Sequence, residues 1–476
     1  MSKIKSMTFT QKEIFLAEDA IEKLRGLIKG DVLLPSHEDY DEVRKIWNAM
    51  IDKRPAIIVR CSNPGDVIDA IKFAREHDLL VSVRGGGHNV AGTSLCDDGM
   101  LIDLSLMKGV RVDPKAKTVR AQAGATLGDL DRETQVFGLV VPAGIVTTTG
   151  IAGLTLGGGF GWLSRRYQLT CDNLISVDIV TADGEFLTAS ETDHQDLFWG
   201  IRGGGGNFGI ITSFEYKLVP VGPTVLGGML LHPMAEAKEF LSFYRDFIAD
   251  APDELTVAPL LRIAPPVPFL PKEVHGKPVV GIIALYSGSV EEGEKLLAPL
   301  RKWGKPLVDA IGPKPFRTLQ SLLDVSAPKG WYYYIKSEFL PPFSDDMIDT
   351  LIAHGSKISS SKTVILGFHL GGAVSRIDED ATAYSHRNAA YSLIISCAWT
   401  DPNESEKHIK WTRGLWEDLQ PFSVGGAYIN FQSDDEGDDR VQTTYGSTKL
   451  DRLSALKKKY DPSNFFRLNR NIKPTS

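Results

Sequence analysis

The chain has 476 residues, of which 42% are hydrophobic and 24% are charged, and its formal net charge at pH 7 is −7. This composition is typical of a globular protein with more than one hydrophobic core, and the negative charge argues against a nucleic-acid or anionic-membrane partner. No apolar stretch has transmembrane length and the N-terminus lacks a secretory signal, so we expect a cytoplasmic protein. Its four widely spaced cysteines form no Cys-x-x-Cys pair, which predicts free thiols and no metal site.

The N-terminal part of the chain shows strand–helix–strand order. Apolar residues at helical spacing predict a first helix over residues 17–29. Residues 55–60 and 79–84 have the composition of buried strands, and Asn63 and Pro64 provide an N-cap and a first-turn proline for a helix between them. This order is typical of α/β structure, in which ligands bind at the carboxyl ends of the strands.

Three glycines directly follow the second of these strands. Gly85, Gly86 and Gly87 would allow backbone N–H groups to converge on an anion, and Arg84 would add a fixed positive charge. The pattern therefore predicts a diphosphate-binding turn. His88 follows and is expected to project from the turn as a nucleophile or ligand, although an isolated histidine is more often structural.

Two more glycine-rich stretches follow, over residues 150–162 and 203–209. In the third stretch, Gly204, Gly206 and Gly209 match the Gly-x-Gly-x-x-Gly pattern of dinucleotide-binding folds. The residues after it alternate and are β-branched, so we predict a strand where such a fold requires a helix. The match is therefore interpreted as a glycine turn between strands.

A boundary rich in proline and glycine at residues 219–223 precedes a region without a glycine turn of this kind. Strand and helix patterns alternate there, which indicates an α+β layer that we expect to bind substrate. A helix over 448–459 leads into the C-terminal segment. The other predicted elements are a hairpin over 110–121, a helix over 126–137, strands over 224–231, 279–285, 331–340, 363–370 and 391–399, and helices over 236–247, 290–303 and 404–419.

The three glycine stretches, together with residues 460–466 and Asn469, resemble the motifs of the FAD-binding oxidoreductases of the vanillyl-alcohol oxidase superfamily. The resemblance is specific because four motifs occur in the order of that family, and it extends from about residue 55 to the C-terminus. Within the superfamily the chain is similar to the berberine-bridge-enzyme-like branch, in the subgroup of bacterial 6-hydroxy-D-nicotine oxidase.

The resemblance implies an α+β fold, with a two-part FAD-binding domain of the PCMH type and an inserted α/β substrate domain that contains an antiparallel sheet. The implied domains are residues 1–220 for the first part of the FAD-binding domain, 221–420 for the substrate-binding domain, and 421–476 for the C-terminal return to the FAD-binding domain. This arrangement would place the substrate sheet over the reactive face of the flavin.

The resemblance also implies covalently bound FAD. In such relatives the histidine at the position of His88 bonds to the flavin 8α-methyl group, and members with two covalent links carry a cysteine where this chain has Val146. Valine cannot form a thioether, so we expect a single link through His88. The implied flavin-contacting residues are Arg84, Gly85, Gly86, Gly87, His88, Asn89, Val146, Thr148, Gly150, Gly153, Gly157, Gly158, Gly161, Gly206, Asn207, Gly209, Ile211, Tyr428, Asn430 and Asn469.

Candidates for substrate contact come partly from strand phase. On the strand predicted over 331–340, Tyr334 and Lys336 share a polar face with Tyr332 and Glu338, and this face lines either a cleft or the solvent. A cation as near as Lys336 would lower the pKa of Tyr334, which makes this tyrosine a candidate base.

Three further residues are candidates for the substrate site. His369 lies among small and apolar residues and is either a core histidine or a catalytic one. Tyr428 and Asn430 match the Tyr-x-Asn that the family carries near the flavin, so they are expected to contact flavin or substrate, with Tyr428 as a second candidate base.

The implied function is oxidation of a small-molecule amine or alcohol by hydride transfer to FAD, with O2 as the acceptor and H2O2 as the product. One alternative is an oligosaccharide oxidase, for which Trp331, Tyr332 and Tyr333 would form an aromatic platform. Others are a flavin dehydrogenase with another acceptor, and a protein that binds FAD without turnover. The expected partners are the substrate and O2, with no nucleic acid and no membrane. The oligomeric state does not follow from the sequence.

Overall fold

The computed structural model describes residues 3–266 and 270–475, so the predicted domain limits at residues 1 and 476 lie outside the described residues. The elements up to residue 220 are β1 (Lys3–Met7), β2 (Glu13–Ala17), α1 (Glu18–Leu27), β3 (Asp31–Leu33), α2 (Tyr40–Val43), β4 (Ile57–Arg60), α3 (Pro64–Glu76), β5 (Val81–Arg84), β6 (Met100–Asp103), β7 (Val110–Asp113), β8 (Thr118–Gln122), α4 (Leu127–Thr134), β9 (Leu139–Val140), α5 (Ile151–Leu156), α6 (Ser164–Tyr167), β10 (Leu174–Val180), β11 (Phe186–Ser190), α7 (Gln195–Ile201), β12 (Ile210–Lys217) and β13 (Val219–Pro220). The later elements are β14 (Thr224–Pro233), α8 (Ala237–Ile248), β15 (Leu255–Ile263), β16 (Pro278–Tyr286), α9 (Val290–Lys302), β17 (Val308–Asp309), β18 (Gly312–Pro315), α10 (Phe316–Gln320), β19 (Tyr332–Leu340), α11 (Asp345–Gly355), β20 (Val364–His369), β21 (Tyr391–Trp399), α12 (Ser405–Leu419) and α13 (Asp438–Tyr460).

Helix α3 packs between two sheets in the first part of the chain. In one sheet, ordered β3-β4-β6-β5, strands β4, β6 and β5 are parallel and β3 is antiparallel. The other sheet is antiparallel, in the order β11-β10-β12-β8-β7. The helix contacts β6 of the first sheet and β10 of the second, and buries Val67 and Ile71 between them. It begins where the Asn63 side chain accepts a hydrogen bond from the Asp66 N–H, as the sequence predicts.

A large antiparallel sheet in the order β17-β14-β16-β15-β20-β21-β19, with β18 also paired to β14, forms the second part. Helices α8, α9, α11 and α12 cover one face, where Leu230 is buried with the apolar side chains of these helices. The neighbouring Leu231 belongs to a different core, which it shares with Phe160 and Trp162 of the second glycine stretch. Since successive side chains point to opposite faces of a strand, the face of this sheet that the helices do not cover packs against the second glycine stretch.

The C-terminal segment packs back into the first core. Helix α13 changes direction at Gly446, whose φ is 71°, and the chain after it buries Phe465 and Phe466 among the residues of that core. The Asn207 side chain accepts a hydrogen bond from the Ile472 N–H at 3.0 Å. The chain therefore returns to the part that carries the glycine stretches.

The α+β fold class, with its antiparallel sheet in the second part, is confirmed. Strand β12 follows the third glycine stretch, as predicted, although α7 and not a strand precedes it. Strand β15 is absent from the prediction because Pro259 interrupts its pattern, and proline is unusual inside a sheet. The domain limits at residues 220 and 420 stay a proposal.

Over residues 3–266 and 270–475, no helix is long and apolar enough to cross a membrane. The four cysteines are all buried and unpaired.

Candidate functional site

A cavity of about 340 Å³ lies between the three glycine stretches, the large sheet and the C-terminal segment. The glycine stretches line it at Gly86 and His88, at Gly150 and Gly153, and at Gly206. The large sheet and the C-terminal segment complete its walls with Ile335, Val364, Leu366, Ile394, Ser396, Tyr428, Asn430, Phe431, Gln432, Asn469 and Arg470. The cavity thus joins the predicted cofactor region to the predicted substrate region.

His88 presents a neutral imidazole to this cavity. Its ring stacks on Trp47, with centroids 4.0 Å apart, and Trp47 stacks in turn on Tyr333, with centroids 3.6 Å apart. Burial lowers the pKa of His88 to about 4. Within the described part of the chain its Nε2 is buried and has no hydrogen-bond partner. A neutral imidazole with an unengaged nitrogen is the form in which histidine acts as a nucleophile.

Close backbone contact explains the glycines that precede His88. A Cβ on Gly86 would lie 2.4 Å from the Cα of Gly150, and a Cβ on Gly85 would lie 2.9 Å from the carbonyl oxygen of Ala123. Gly87 has a φ of +71°, which favours glycine. Contacts within the protein therefore require these glycines, and this reason differs from the approach to an anion that the sequence suggests.

Two other glycines leave room at the cavity wall. Gly153 and Gly206 line the cavity, and a Cβ on either residue would have no protein atom within 4 Å. Packing within the protein does not require glycine at these positions, whereas a large planar ligand in contact with the backbone does. Together with the unpartnered Nε2 of His88, these positions fit the flavin that the resemblance implies.

Tyr428 and Asn430 lie together against the second glycine stretch, where Tyr428 directly precedes a 3-10 turn over Ile429–Phe431 that contains Asn430. Asn430 Nδ2 donates to the Tyr428 hydroxyl oxygen at 2.8 Å and to the Gly153 carbonyl oxygen at 3.0 Å. The Gly159 N–H also donates to the Tyr428 hydroxyl oxygen, at 3.1 Å. Burial outweighs these hydrogen bonds and raises the pKa of Tyr428, so its hydroxyl stays neutral.

Arg84 does not line the cavity, and the prediction that its charge faces a diphosphate is wrong. Its Nε and Nη2 donate to the two carboxylate oxygens of Asp103 at 3.0 and 2.6 Å, and its Nη1 donates to the Val43 carbonyl oxygen. Arg84 and Asp103 are directly opposite each other on the paired strands β5 and β6. The carboxylate neutralises the guanidinium inside the protein, and the local sequence around Arg84 does not reveal that partner.

The polar face of β19 points away from the cavity. Ile335 lines the cavity, so Tyr334 and Lys336 lie on the opposite face of the strand. Lys336 Nζ pairs with Asp435 and Glu436 at 3.0 and 3.2 Å, and the Tyr334 hydroxyl donates to Asp435 at 2.6 Å. Burial and this hydrogen bond raise the pKa of Tyr334. The prediction that Tyr334 and Lys336 contact substrate is wrong, because both side chains belong to a buried network of charged groups.

His369 is a core histidine, and its prediction as a catalytic residue is wrong. It is buried on β20, outside the lining of the cavity, with its Nε2 3.2 Å from Arg165 Nη1. Burial and the charge of Arg165 lower the pKa of His369 to about 3. The neutral ring accepts the hydrogen bond from the guanidinium.

The remaining predicted flavin contacts fall into two groups, and their contact with flavin stays a prediction. Those that line the cavity are Gly85, Gly86, Gly87, His88, Asn89, Val146, Gly150, Gly153, Gly206, Gly209, Ile211, Tyr428, Asn430 and Asn469. Those outside its lining are Thr148, Gly157, Gly158, Gly161 and Asn207. Some of the second group have contacts within the protein that account for their identity. A Cβ on Gly157 would meet Asn430 at 2.4 Å, and Asn207 Nδ2 donates to the Gly204 and Arg470 carbonyl oxygens.

Sequence reasoning missed lining residues from segments that carry no glycine motif. Trp47, Ser326, Ser396, Gln432 and Arg470 all belong to this group. Strand phase contained a usable signal for the large sheet, because the apolar residues of β19 alternate with its polar ones. No spacing rule connects Trp47 to His88, since their stacking depends on the tertiary fold.

Residues 55–190 match the family described as "FAD binding domain", and residues 427–473 match the family described as "Berberine and berberine like". An FAD-linked oxidoreductase of Dictyostelium discoideum is 36% identical over 452 residues, which cover 94% of this chain and 95% of that protein. The chain belongs to the berberine-bridge-like FAD-linked oxidoreductases. It is therefore an FAD-binding enzyme that catalyses oxidation and reduction.

Two further proteins are similar over nearly the whole chain. The (R)-6-hydroxynicotine oxidase of Paenarthrobacter nicotinovorans is 30% identical over 463 residues, which cover 94% of this chain and 97% of that protein. The crystal structure of 6-hydroxy-D-nicotine oxidase from Arthrobacter nicotinovorans superposes with a TM-score of 0.85 at 26% identity, and covers 94% of this chain and 98% of that one. The family resemblance expected from the four motifs is confirmed.

Proposed function

We propose that this berberine-like oxidoreductase is an oxidase that holds FAD in the glycine-lined cavity through a single covalent bond to His88. Its substrate is a small-molecule amine or alcohol, with the amine favoured, and O2 accepts the electrons to give H2O2. The observation that carries the proposal is the neutral imidazole of His88, whose buried Nε2 has no partner in the described part of the chain. The relatives named nicotine oxidases support this class of substrate.

The residues around the cavity have separate tasks in this proposal. Bound FAD would supply the hydride acceptor and the route of electrons to O2. His88 would hold the cofactor, and its stacking on Trp47 fixes the plane of the imidazole ring. Val146 lines the cavity without a thiol, so a second covalent link has no attachment group there. Tyr428 and Asn430 bind the backbone of the second glycine stretch and so maintain the shape of that wall.

The lining favours an amine over an alcohol or a sugar. Among the described residues that line the cavity there is no aspartate, glutamate or lysine, and the Tyr428 hydroxyl is neutral because its pKa is raised. Oxidation of an alcohol requires a base for the O–H proton, whereas a neutral amine can lose a hydride without one. The aromatic residues considered for a sugar platform, Trp331, Tyr332 and Tyr333, are not among the lining residues.

The covalent link is tested by replacing His88. We expect the flavin of the wild-type protein to remain on the polypeptide through acid precipitation and denaturing electrophoresis, and the flavin of His88→Ala to be released. His369→Gln is the matched control, because it removes a second histidine of lowered pKa that lies outside the cavity lining. Flavin that stays attached to the His88→Ala protein would place the link on another residue.

The substrate class and the acceptor are tested with a panel of cyclic amines, benzylic alcohols and oligosaccharides assayed for peroxide from mildly acidic to alkaline pH. Turnover of amines should rise as the pH passes the pKa of the free amine, because the protonated form has no lone pair to assist loss of a hydride. Turnover of oligosaccharides alone would contradict the amine assignment. Dithionite-reduced protein should reoxidise rapidly in air, and protein that stays reduced would be a dehydrogenase.

A further inference from the structure

Arg262, on β15, is a buried arginine without a carboxylate partner among the described residues. It is 4% exposed, and its Nη1 donates to the Ser326 hydroxyl oxygen at 3.1 Å. Its Nε donates to the Ile263 carbonyl oxygen at 3.3 Å, and no described residue accepts a hydrogen bond from its Nη2. Burial lowers the pKa of Arg262 to about 10, so the guanidinium keeps its charge at neutral pH.

The other buried arginines in residues 3–266 and 270–475 have their charge or their donors engaged within the protein. Arg44, Arg84 and Arg387 each pair with a carboxylate. Arg165 donates to the carbonyl oxygens of Leu255, Leu370 and Ala251. A buried charge without a partner is unfavourable, and such a group is retained where an anion compensates it. Arg262 therefore has the features of an anion-binding residue.

The position of Arg262 places it on the cavity side of the large sheet. It is directly opposite Val364 of β20, and residues directly opposite each other project from the same face of a sheet. Both Val364 and Ser326 line the cavity. The guanidinium is therefore one hydrogen bond from the cavity wall, through the Ser326 hydroxyl.

We propose that Arg262 and Ser326 bind a carboxylate group of the substrate. This inference rests on the proposed function, which places the substrate in this cavity. The Ser326 hydroxyl accepts a hydrogen bond from Arg262, so its own proton is available to a carboxylate oxygen. The guanidinium contributes the opposite charge and further N–H donors, and charge-assisted hydrogen bonds of this kind are the strong ones.

The surroundings of Ser326 restrict the rest of the substrate. The nearby wall is mostly apolar, with Leu323, Ala327, Val364 and Leu366, and Ser396 opposite Val364 adds a single hydroxyl group. A charged or heavily hydroxylated body would lose its hydration there without compensation. The substrate class is therefore an amine with an apolar body and one carboxylate. A neutral oligosaccharide would leave the charge of Arg262 uncompensated.

The test uses benzoate and benzamide, which have similar shapes and differ in charge, as calorimetric probes of the flavin-containing protein. We expect benzoate to bind wild-type protein at least about tenfold more tightly than benzamide. Arg262→Met should abolish this preference, because it removes the charge while keeping most of the side-chain volume. Arg262→Lys should retain part of it, since lysine keeps the charge and loses the planar fork. The matched control is Arg301→Gln on α9, which pairs with Asp309 and lies outside the cavity lining, and it should keep the full preference.

Equal binding of the two probes by wild-type protein, or a preference that survives in Arg262→Met, would overturn the proposal. Circular dichroism and flavin content check the fold of each variant. If Arg262→Met does not fold, Ser326→Ala decides, with an expected several-fold loss of benzoate affinity and unchanged benzamide affinity; unchanged benzoate affinity in that variant would also overturn it.

The calorimetric result is independent of turnover. If the protein prefers benzoate in a way that depends on Arg262 but oxidises no amine of the panel, the proposed function is contradicted and the anion site is supported. If the protein oxidises amines but shows no preference for benzoate, the anion site is contradicted and the proposed function is supported. Among substrates that are turned over, amine carboxylates should exceed their methyl esters in kcat/KM, and the Arg262→Met protein should lose this difference.

Discussion

Two glycines of the cavity wall should respond differently to alanine, because only one of them is packed against protein. A Cβ on Gly86 would lie 2.4 Å from the Cα and 2.7 Å from the nitrogen of Gly150. Ordinary contact begins at 3.4 Å. The two loops would have to separate by about 1 Å, and overpacking of this kind costs about 1–3 kcal/mol. A Cβ on Gly153 would meet no protein atom within 4 Å.

Gly153→Ala should therefore leave the free energy of unfolding of flavin-free protein unchanged or raise it by about 0.5–1 kcal/mol, since glycine is a poor helix former and this residue lies inside α5. Gly86→Ala should lower it by about 1–3 kcal/mol. Both variants should contain less flavin, because the new methyl group of Gly153→Ala enters the cavity and that of Gly86→Ala displaces the cavity wall.

The assay compares both alanine variants with their parent in a His88→Ala background from which non-covalently bound flavin has been removed, so that flavin does not contribute to stability. Urea unfolding is followed by circular dichroism. Flavin content is measured separately in proteins that retain His88. Full flavin content in Gly153→Ala would mean that the flavin does not contact this wall. If Gly86→Ala has the same free energy of unfolding as its parent, the two loops separate without any loss of stability.

Two further predictions concern buried ionisable groups outside the cavity. Arg84→Met should lower the free energy of unfolding by up to about 3–5 kcal/mol, because it removes two hydrogen bonds from the buried Asp103 carboxylate, which keeps only the hydrogen bonds from Ser105 and a longer ion pair with Arg60 at 3.6 Å. Adding Asp103→Leu should recover part of this loss, and an unaffected urea midpoint in the single variant would contradict the pairing. The pKa of His369 is lowered from 6.5 to about 3, so between these values the unfolded chain binds a proton that the folded chain does not, and stability falls as pH falls. This group contributes up to about 1.4 kcal/mol per pH unit to the dependence of the free energy of unfolding on pH. In His369→Gln the amide oxygen can accept the hydrogen bond from Arg165, so the free energy of unfolding measured in urea should fall less steeply as the pH falls. A slope equal to that of the wild-type protein would contradict the assignment.

The sequence by itself determined the features that depend on neighbouring residues. The N-cap at Asn63, the strand before the first glycine turn and the turn itself follow from local backbone preferences, and the structure contains all three. The strand after Gly209 likewise follows from its β-branched residues, which correctly exclude a dinucleotide-binding helix. In each case a few adjacent residues carry the whole signal.

Tertiary structure alone decided which partner each of these residues meets. Alternation along β19 shows two faces, but only the packing of the large sheet shows that Ile335 faces the cavity and Lys336 faces a charged network. Arg84 meets Asp103 because β5 and β6 pair in parallel and in register, although the two residues are 19 positions apart. The environment of a charge depends on contacts between distant segments, and local spacing carries no information about them. For the same reason, the sequence does not predict the stacking of Trp47 on His88 or the position of Arg262 behind Ser326.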